Sequence, residues 1–244
     1  MFDPVELILT AVAVLITLSI HEFSHAYAAY KLGDNTAKNL GRLSINPIKH
    51  LDPIGALCML FFRFGWAKPV PINPRNFKNP KRDFAISALA GPLSNLILGF
   101  IFSGIFIFSF SKLMVVEFEN EFTLRLAENA LLFLQIFFSV NVGLGIFNLL
   151  PIPPFDGSRL LNVIFPPKIY FGIMKYERQI YFGVLAWLLL GDYAAMGVRS
   201  VPLIASNPIL FRLAGILSLS DMIGAAITFI GNLMVDFWLL IIPL

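Results

Sequence analysis

Cysteine, histidine and charge are all scarce in this chain of 244 residues. The single cysteine, Cys58, excludes a disulfide within the chain and a zinc site built on cysteine ligands. Charged residues make up 14% of the sequence and hydrophobic residues 57%, whereas soluble domains average about 25% and about 45–50%. The net charge of +3 is too small to indicate a nucleic-acid partner. This composition excludes an ordinary soluble domain and predicts an integral membrane protein.

Long apolar stretches account for most of the chain, and each has roughly the 17–25 residues that cross a bilayer as a helix. They cover about residues 4–30, 84–110, 130–150, 180–198, 201–219 and 222–244. We therefore predict one polytopic domain, residues 1–244, with an all-α fold and about six transmembrane helices. Five helices is the alternative, because Pro202, Pro208 and Arg212 interrupt the fifth stretch. Residues 54–62 are apolar but too short to cross alone, which predicts a re-entrant or buried segment.

Basic residues are distributed unevenly between these stretches. Ten Lys and Arg residues lie between Lys31 and Arg82, and four lie within 151–178. The connection 112–128 has two basic residues against four Glu. Because cytoplasmic loops carry the excess of Lys and Arg, the first and third connections should be cytoplasmic and the N-terminus outside.

The first apolar stretch carries two of the three histidines, in the sequence His21-Glu22-Phe23-Ser24-His25. A helix places residues four apart on one face, so both imidazoles can reach one metal ion with Glu22 beside them. This H-E-x-x-H pattern is typical of zinc metalloproteases, in which the Glu is the general base. The alternative is a pair of buried histidines that only make hydrogen bonds.

A catalytic zinc ion usually takes three protein ligands, so one more is needed. Asp156 is the first candidate, because it follows a proline-broken segment at the cytoplasmic end of a span and precedes Gly157. Its alternative role is to cap a following helix. His50 is the rival ligand, although its polar, turn-forming surroundings favour a histidine that is solvated or stabilises a turn.

Catalysis also needs a base and a donor for the oxyanion of the intermediate. Glu22 would take a proton from a water molecule that the metal acidifies. Asn148, eight residues before Asp156, is a candidate donor for the oxyanion. The alternative for Asn148 is a hydrogen bond between membrane helices.

The two motifs together resemble those of the site-2 proteases, which are zinc intramembrane metalloproteases. The resemblance rests on H-E-x-x-H at 21–25, on N-x-x-P-x-x-x-x-D-G at 148–157, and on the segments 41–47, 65–71 and 90–95. It covers residues 1–165, the expected catalytic core, and leaves the helices of 166–244 without an assigned role. It implies that His21, His25 and Asp156 bind one zinc ion per chain, that Glu22 is the base and that Asn148 assists the intermediate. Because the connection 112–128 is short, we expect a compact form without a PDZ or CBS domain.

The resemblance also implies two short strands between the first two full spans, at 39–45 and 66–72. They would form a membrane-embedded β-hairpin, and an extended substrate could pair with its edge. Pro69 and Pro71 would limit which side of that edge can pair.

The resulting hypothesis is a zinc-dependent endopeptidase that cuts transmembrane or membrane-proximal segments within a bacterial cell membrane, with its active site toward the cytoplasm. By analogy, its substrate is a trimmed single-span protein or a signal-peptide remnant. Two alternatives from other classes are a catalytically idle scaffold that binds transmembrane helices and a metal transporter. The sequence leaves the oligomeric state open.

Overall fold

A computed structural model describes residues 3–55 and 67–242, and within them the fold is helical. The long helices are α1 (Pro4–Lys31), α2 (Pro80–Leu113), α3 (Glu121–Asn148), α4 (Glu177–Arg199) and α5 (Leu219–Leu239). Side-chain caps begin several of them: Asp3 accepts from Val5 N and Asn120 accepts from Thr123 N. Cys58 and most of the apolar segment 54–62 lie outside the described residues.

Four of these helices, α1, α2, α3 and α5, are long and apolar enough to cross a membrane. Helix α4 makes a fifth if its two pieces, Glu177–Leu188 and Leu190–Arg199, which are bent by 42°, form one span. The predicted all-α membrane protein is therefore confirmed, whereas the count of six spans is wrong for the described chain. The stretch 201–219 is the reason, because Pro202 and Pro208 each begin a short helix instead of continuing a long one.

The predicted β-hairpin is also not found among the described residues, and Trp66 of its second strand lies outside them. In the described chain, the strand-like pairing is a single isolated bridge between Leu51 and Ala67, and residues 39–45 and 67–72 form no strand. Pro69 and Pro71 provide a reason, because they have no N–H for a ladder. The remaining short helices, including 3₁₀ turns, are Thr36–Asn39, Pro47–His50, Pro74–Asn76, Asp156–Leu160, Leu161–Ile164, Pro167–Met174, Pro202–Ala205, Pro208–Ala214 and Gly215–Leu217.

Helices α1, α2 and α3 pack together at the centre of the molecule. Glycines permit the close crossing of α2 and α3, since a Cβ on Gly99 would lie 2.8 Å from Val142 Cγ2. A buried hydrogen bond joins α3 to α1, because Asn141 Nδ2 donates to Thr17 Oγ1 at 2.9 Å. These contacts fix α1, which carries the H-E-x-x-H motif, against both of its neighbours.

The two C-terminal helices pack on this three-helix centre. A buried cluster of Phe155, Val184, Leu219 and Ile223 joins α4 and α5 to the segment that follows α3. At the other end of α5, Trp238 Nε1 donates to the Phe100 carbonyl of α2 at 2.9 Å. The C-terminal helices are therefore part of the same core as the motif-bearing helices.

Candidate metal centre

Three potential ligand atoms converge where α1 meets the segment after α3. His21 Nε2 and His25 Nε2 are 2.9 Å apart, and Asp156 Oδ2 lies 3.1 Å from the first and 3.2 Å from the second. The histidines face the same way because they are four residues apart on a helix. Both are buried, and Asp156 is half-buried. Of the two candidate third ligands, the structure places Asp156 in this cluster and His50 elsewhere.

The donor set suits a zinc ion. Zinc bonds to His nitrogen and carboxylate oxygen at about 2.0–2.2 Å, so donors at tetrahedral positions lie about 3.3–3.6 Å apart. The three separations here are within about half an ångström of that range. Three atoms with lone pairs meet at one buried point, and a cation satisfies all of them together.

The tautomer of His25 is fixed by a hydrogen bond from its other ring nitrogen. His25 Nδ1 lies 2.7 Å from the Ser87 carbonyl of α2, and a carbonyl can only accept, so Nδ1 carries the hydrogen. The neutral ring then has a free lone pair on Nε2, which points at Asp156 and His21. Ser87 therefore prepares His25 as a ligand through Nε2.

Asn95 performs the corresponding role for His21. Its Nδ2 lies 3.1 Å from His21 Nδ1, while its Oδ1 is buried and has no hydrogen-bond partner in the described chain. A metal on Nε2 leaves a hydrogen on Nδ1, which needs an acceptor. Exchanging the positions of the Asn95 amide nitrogen and oxygen places the oxygen beside His21 Nδ1 as the acceptor. The two orientations of an amide are distinguished only by such hydrogen bonds. The orphaned oxygen thus fits a metal-bound His21.

A glycine leaves the space that the two imidazoles occupy. A Cβ built on Gly91 of α2 would lie 2.3 Å from His25 Nε2 and 2.7 Å from His21 Cε1. Any larger residue would displace the rings. Gly157 has a similar role beside Asp156, since a Cβ there would lie 2.2 Å from the Leu149 carbonyl oxygen. Both glycines are required by close approach.

Glu22 is buried beside the histidines and is held by backbone from the segment 67–72. The Val70 N–H donates to Glu22 Oε2 at 2.7 Å. Val70 stands between Pro69 and Pro71, which have no N–H, so it supplies the sole backbone donor of that tripeptide. One carboxylate oxygen is thereby oriented, and Oε1 remains available for chemistry.

His50 holds this same segment in place. It is 2% exposed, its Nε2 donates to the Ser44 carbonyl at 2.6 Å, and its own carbonyl accepts from Lys68 N at 2.8 Å. Arg42 Nη2 donates to the Lys68 carbonyl at 2.6 Å. His50 is therefore the turn-stabilising histidine, one of the two roles that its sequence context suggested.

Asn148 lies at the end of α3 on the wall of a cavity next to the cluster. Its Nδ2 donates to the Leu144 carbonyl of its own helix at 3.0 Å, which leaves its second N–H free for another acceptor. The cavity has a volume of about 330 Å³ and is lined by His21, Glu22 and Asn148 together with mainly apolar residues of α1, α3 and α4.

Sequence reasoning missed the residues that support the ligands. Ser87, Gly91, Asn95 and Val70 were given no role, although the segments 90–95 and 65–71 had been noted for their resemblance to the site-2 proteases. The signal for Gly91 and Asn95 was weak because small and polar residues in a membrane helix serve many packing roles. No sequence signal marks the carbonyl of Ser87.

Two histidines and an aspartate converge beside a buried glutamate among apolar helices, and these are the groups that a membrane-embedded metalloprotease needs. Residues 9–169 match the model of peptidase family M50, and the chain belongs to this family. It is therefore a zinc metalloprotease and an integral membrane protein, as the site-2 protease resemblance implied.

Three relatives are similar over different shares of the chain. "Putative zinc metalloprotease YwhC" of Bacillus subtilis (strain 168) is 41% identical over 184 residues, which are 75% of this chain and 81% of that protein. "Putative zinc metalloprotease Rip2" of Mycolicibacterium smegmatis is 30% identical over 37% of each chain. "Zinc metalloprotease MJ0392" of Methanocaldococcus jannaschii is 26% identical over 67% of this chain and 36% of that protein. No solved structure matches the chain.

Proposed function

We propose that this protein is an intramembrane endopeptidase that hydrolyses peptide bonds in or near transmembrane segments of single-span proteins or signal-peptide remnants. The observation that carries the proposal is the position of the three potential ligands, His21, His25 and Asp156. One of them, His21, lines a mostly apolar cavity among helices that are long enough to cross a membrane. A cavity of that character accepts apolar polypeptide and excludes most charged segments.

In this proposal His21, His25 and Asp156 hold one zinc ion per chain. When held there, the ion would supply Lewis-acid chemistry, polarising a substrate carbonyl and lowering the pKa of a water molecule toward 7. Ser87 and Asn95 keep both imidazoles in the orientation that ligation requires. The third histidine, His50, takes no part in ligation.

Glu22 acts as the general base. Its Oε2 is held by the Val70 N–H, so Oε1 takes the proton from the attacking water and later gives it to the leaving amine. Asn148 donates its free N–H to the oxygen of the substrate carbonyl as negative charge develops there. Both groups line the same cavity, which allows them to act on one bound peptide.

The proposed orientation places the active site toward the cytoplasmic side of a bacterial cell membrane, with the N-terminus outside. The charge distribution supports it, since ten of the eighteen Lys and Arg residues lie between Lys31 and Arg82, in the connection between α1 and α2 and at the helix ends beside it. Water would reach the site from that side. The lipid bilayer and a membrane-protein substrate are the partners, and no nucleic acid is involved.

The test is zinc content per chain together with cleavage of a single-span reporter protein in detergent. We expect about one zinc in the wild type, loss of zinc in His25→Ala and Asp156→Ala, and retained zinc in Glu22→Gln with cleavage abolished. His50→Ala is the control histidine and should keep zinc. Zinc that is indifferent to Asp156 would contradict the ligand set, and cleavage by Glu22→Gln would contradict the base.

A further inference from the structure

Helix α4 forms one side of the cavity that holds the catalytic groups. Tyr181, Val184, Leu185 and Leu188 line it, together with His21 and Glu22 of α1. This helix begins after residue 169, where the match to the family ends, so family membership assigns it no role.

The four residues occupy one face of α4. Positions 181, 184, 185 and 188 are spaced by three, four and seven residues, which is the spacing of a single helical stripe. Phe182 and Leu190 are off this stripe and are 53% and 64% exposed. The stripe carries no charged residue, so it presents an apolar surface with one phenol.

The position of α4 is tied to the segment that carries Asp156. Arg159, three residues after Asp156, pairs with Glu177 at the start of α4, with Nη2 and Oε1 2.8 Å apart. Val184 packs in the same buried cluster as Phe155, the residue before Asp156. Contacts on both sides of Asp156, at Phe155 and at Arg159, therefore hold the stripe in a fixed position relative to the metal ligands.

We propose that the stripe Tyr181, Val184, Leu185 and Leu188 is the specificity wall for the substrate side chain beside the scissile bond. This rests on the proposed function. Glu22, His21 and Asn148 line the same cavity as the stripe, so the peptide group to be cut lies beside these polar groups and its neighbouring side chain meets the stripe. An apolar side chain fits this wall, while a charged one meets no opposite charge on α4. The size of the residue at position 185 then limits the size of the side chain accepted.

The probe is a set of synthetic peptides with lysine-flanked ends and a central apolar stretch in which one position is Ala, Val, Leu, Phe or Trp. Cleavage products of the wild type, Leu185→Ala and Leu185→Phe are compared by mass spectrometry. In Leu185→Ala, the preference for cleavage beside Phe and Trp should rise at least about tenfold over the wild type, because one methylene in an apolar pocket changes selectivity by about that factor. In Leu185→Phe, this preference should fall. Leu190→Ala is the matched control and should leave the profile unchanged.

Two further measurements keep the proposal falsifiable. Zinc content reports whether each variant retains the fold of the centre, and Tyr181→Ala is a second wall variant if Leu185 tolerates no change. A benzoyl-phenylalanine photo-crosslinker at position 185 or 190, in the Glu22→Gln protein, reports peptide binding without turnover. Crosslinking to the peptides is expected at 185 and not at 190.

The outcomes separate the wall from the protease. Cleavage with identical profiles in all variants overturns the specificity wall and leaves the endopeptidase standing. Crosslinking at 185 without cleavage by the wild type overturns the endopeptidase, and with it a wall beside a scissile bond, and leaves the stripe as a peptide-binding surface. If the wild type shows no cleavage and position 185 shows no crosslinking, both proposals are overturned.

Discussion

Groups that bind neither the metal nor the substrate determine whether His21 and His25 are oriented for metal binding. His21 and His25 each use one ring nitrogen toward the cluster and the other toward α2, through Asn95 and the Ser87 carbonyl. Such outer partners fix the tautomer and the ring orientation, and their loss typically costs 10–100-fold in metal affinity, as an order of magnitude. Three residue-scale predictions follow from these contacts and from the backbone donor to Glu22.

Replacing Gly91 by Ala should remove zinc from the protein. The new methyl group would lie 2.3 Å from His25 Nε2, so the imidazole must leave its ligating position. Zinc content per chain measures the effect, and a fall from about one to near zero is expected. Gly197→Ala is the control, because a Cβ there meets nothing within 4 Å. Full zinc in the Gly91 variant would contradict the geometry of the centre.

Substitutions at Asn95 test which atom of its amide faces His21. Asn95→Leu offers no acceptor for the Nδ1 hydrogen of a metal-bound His21, and we expect zinc affinity to fall about 10–100-fold. Asn95→Asp keeps an acceptor and should retain zinc within a few-fold of the wild type. Competition with a chelator measures both affinities. Equal affinities in all three proteins would mean that the Asn95 oxygen plays no part.

Val70 allows a backbone hydrogen bond to be removed with one substitution. Val70→Pro deletes the N–H that orients Glu22, whereas Val70→Ala keeps it. We expect kcat to fall about 100-fold in the proline variant, a typical cost of a misplaced catalytic group. KM and zinc content should change little, because neither the cavity wall nor the ligands are altered. A proline variant with the kcat of the alanine variant would rule out this positioning role.

At the scale of elements, the segment 67–72 changes its expected role. A strand that offers its edge to a substrate was predicted, but the structure uses its Lys68 N–H, Lys68 carbonyl and Val70 N–H within the protein. Pro69 and Pro71 add no donors. The segment therefore supports Glu22, and Arg42 and His50 connect it to the turns that follow α1.

A second support lies where α1 ends, and it predicts a pH dependence. Asp34 is fully buried and accepts hydrogen bonds from Asn73 N at 2.7 Å, Asn76 Nδ2 at 2.7 Å and Thr36 N at 3.0 Å. Burial by itself would raise the pKa of Asp34, but the hydrogen bonds from Thr36, Asn73 and Asn76 together lower it below its ordinary value.

Because the folded-state pKa of Asp34 is lowered, its contribution to stability is present above about pH 4 and is lost as the pH falls through the folded-state pKa. Asp34→Asn should therefore lower the unfolding midpoint in detergent at about pH 7, by the equivalent of about 1–3 kcal/mol. The difference in unfolding midpoint between Asp34→Asn and the wild type should become smaller below about pH 4. The exposed Glu119→Gln is the control. A difference that is constant over this range would contradict the role of the charge.

At the scale of the whole molecule, the helices and the basic residues together predict the topology. The connection between α2 and α3 should be outside and the segment after α3 in the cytoplasm. If the two pieces of α4 form one span, the loop after Arg199 returns to the outside. Reporter fusions at Val115 and Ser206 should both report the outside. A cytoplasmic signal at 206 would mean four spans, and one at 115 would invert the whole arrangement.

Features that depend on neighbours along the chain can be predicted from the sequence. The spacing of His21, Glu22 and His25 places them on one turn of helix whatever surrounds them, and long apolar runs require a membrane. The prolines at 202 and 208 also break helices locally, and this is why the apolar stretch 201–219 forms short helices instead of a sixth span. These properties follow from local geometry and from hydrophobicity summed over a segment.

The tertiary structure decided everything that joins distant residues. It placed Asp156 rather than His50 near the histidines, across 135 and 131 residues of chain, and it brought Ser87 and Asn95 to them across 62 and 74. It also made residues 67–72, which belong to the predicted strand 66–72, a support for Glu22, and it set α4 against the cavity. Such contacts depend on how helices pack, and packing depends on the shapes of two surfaces together. The sequence of one helix predicts its own apolar face but does not identify the helix face that packs against it.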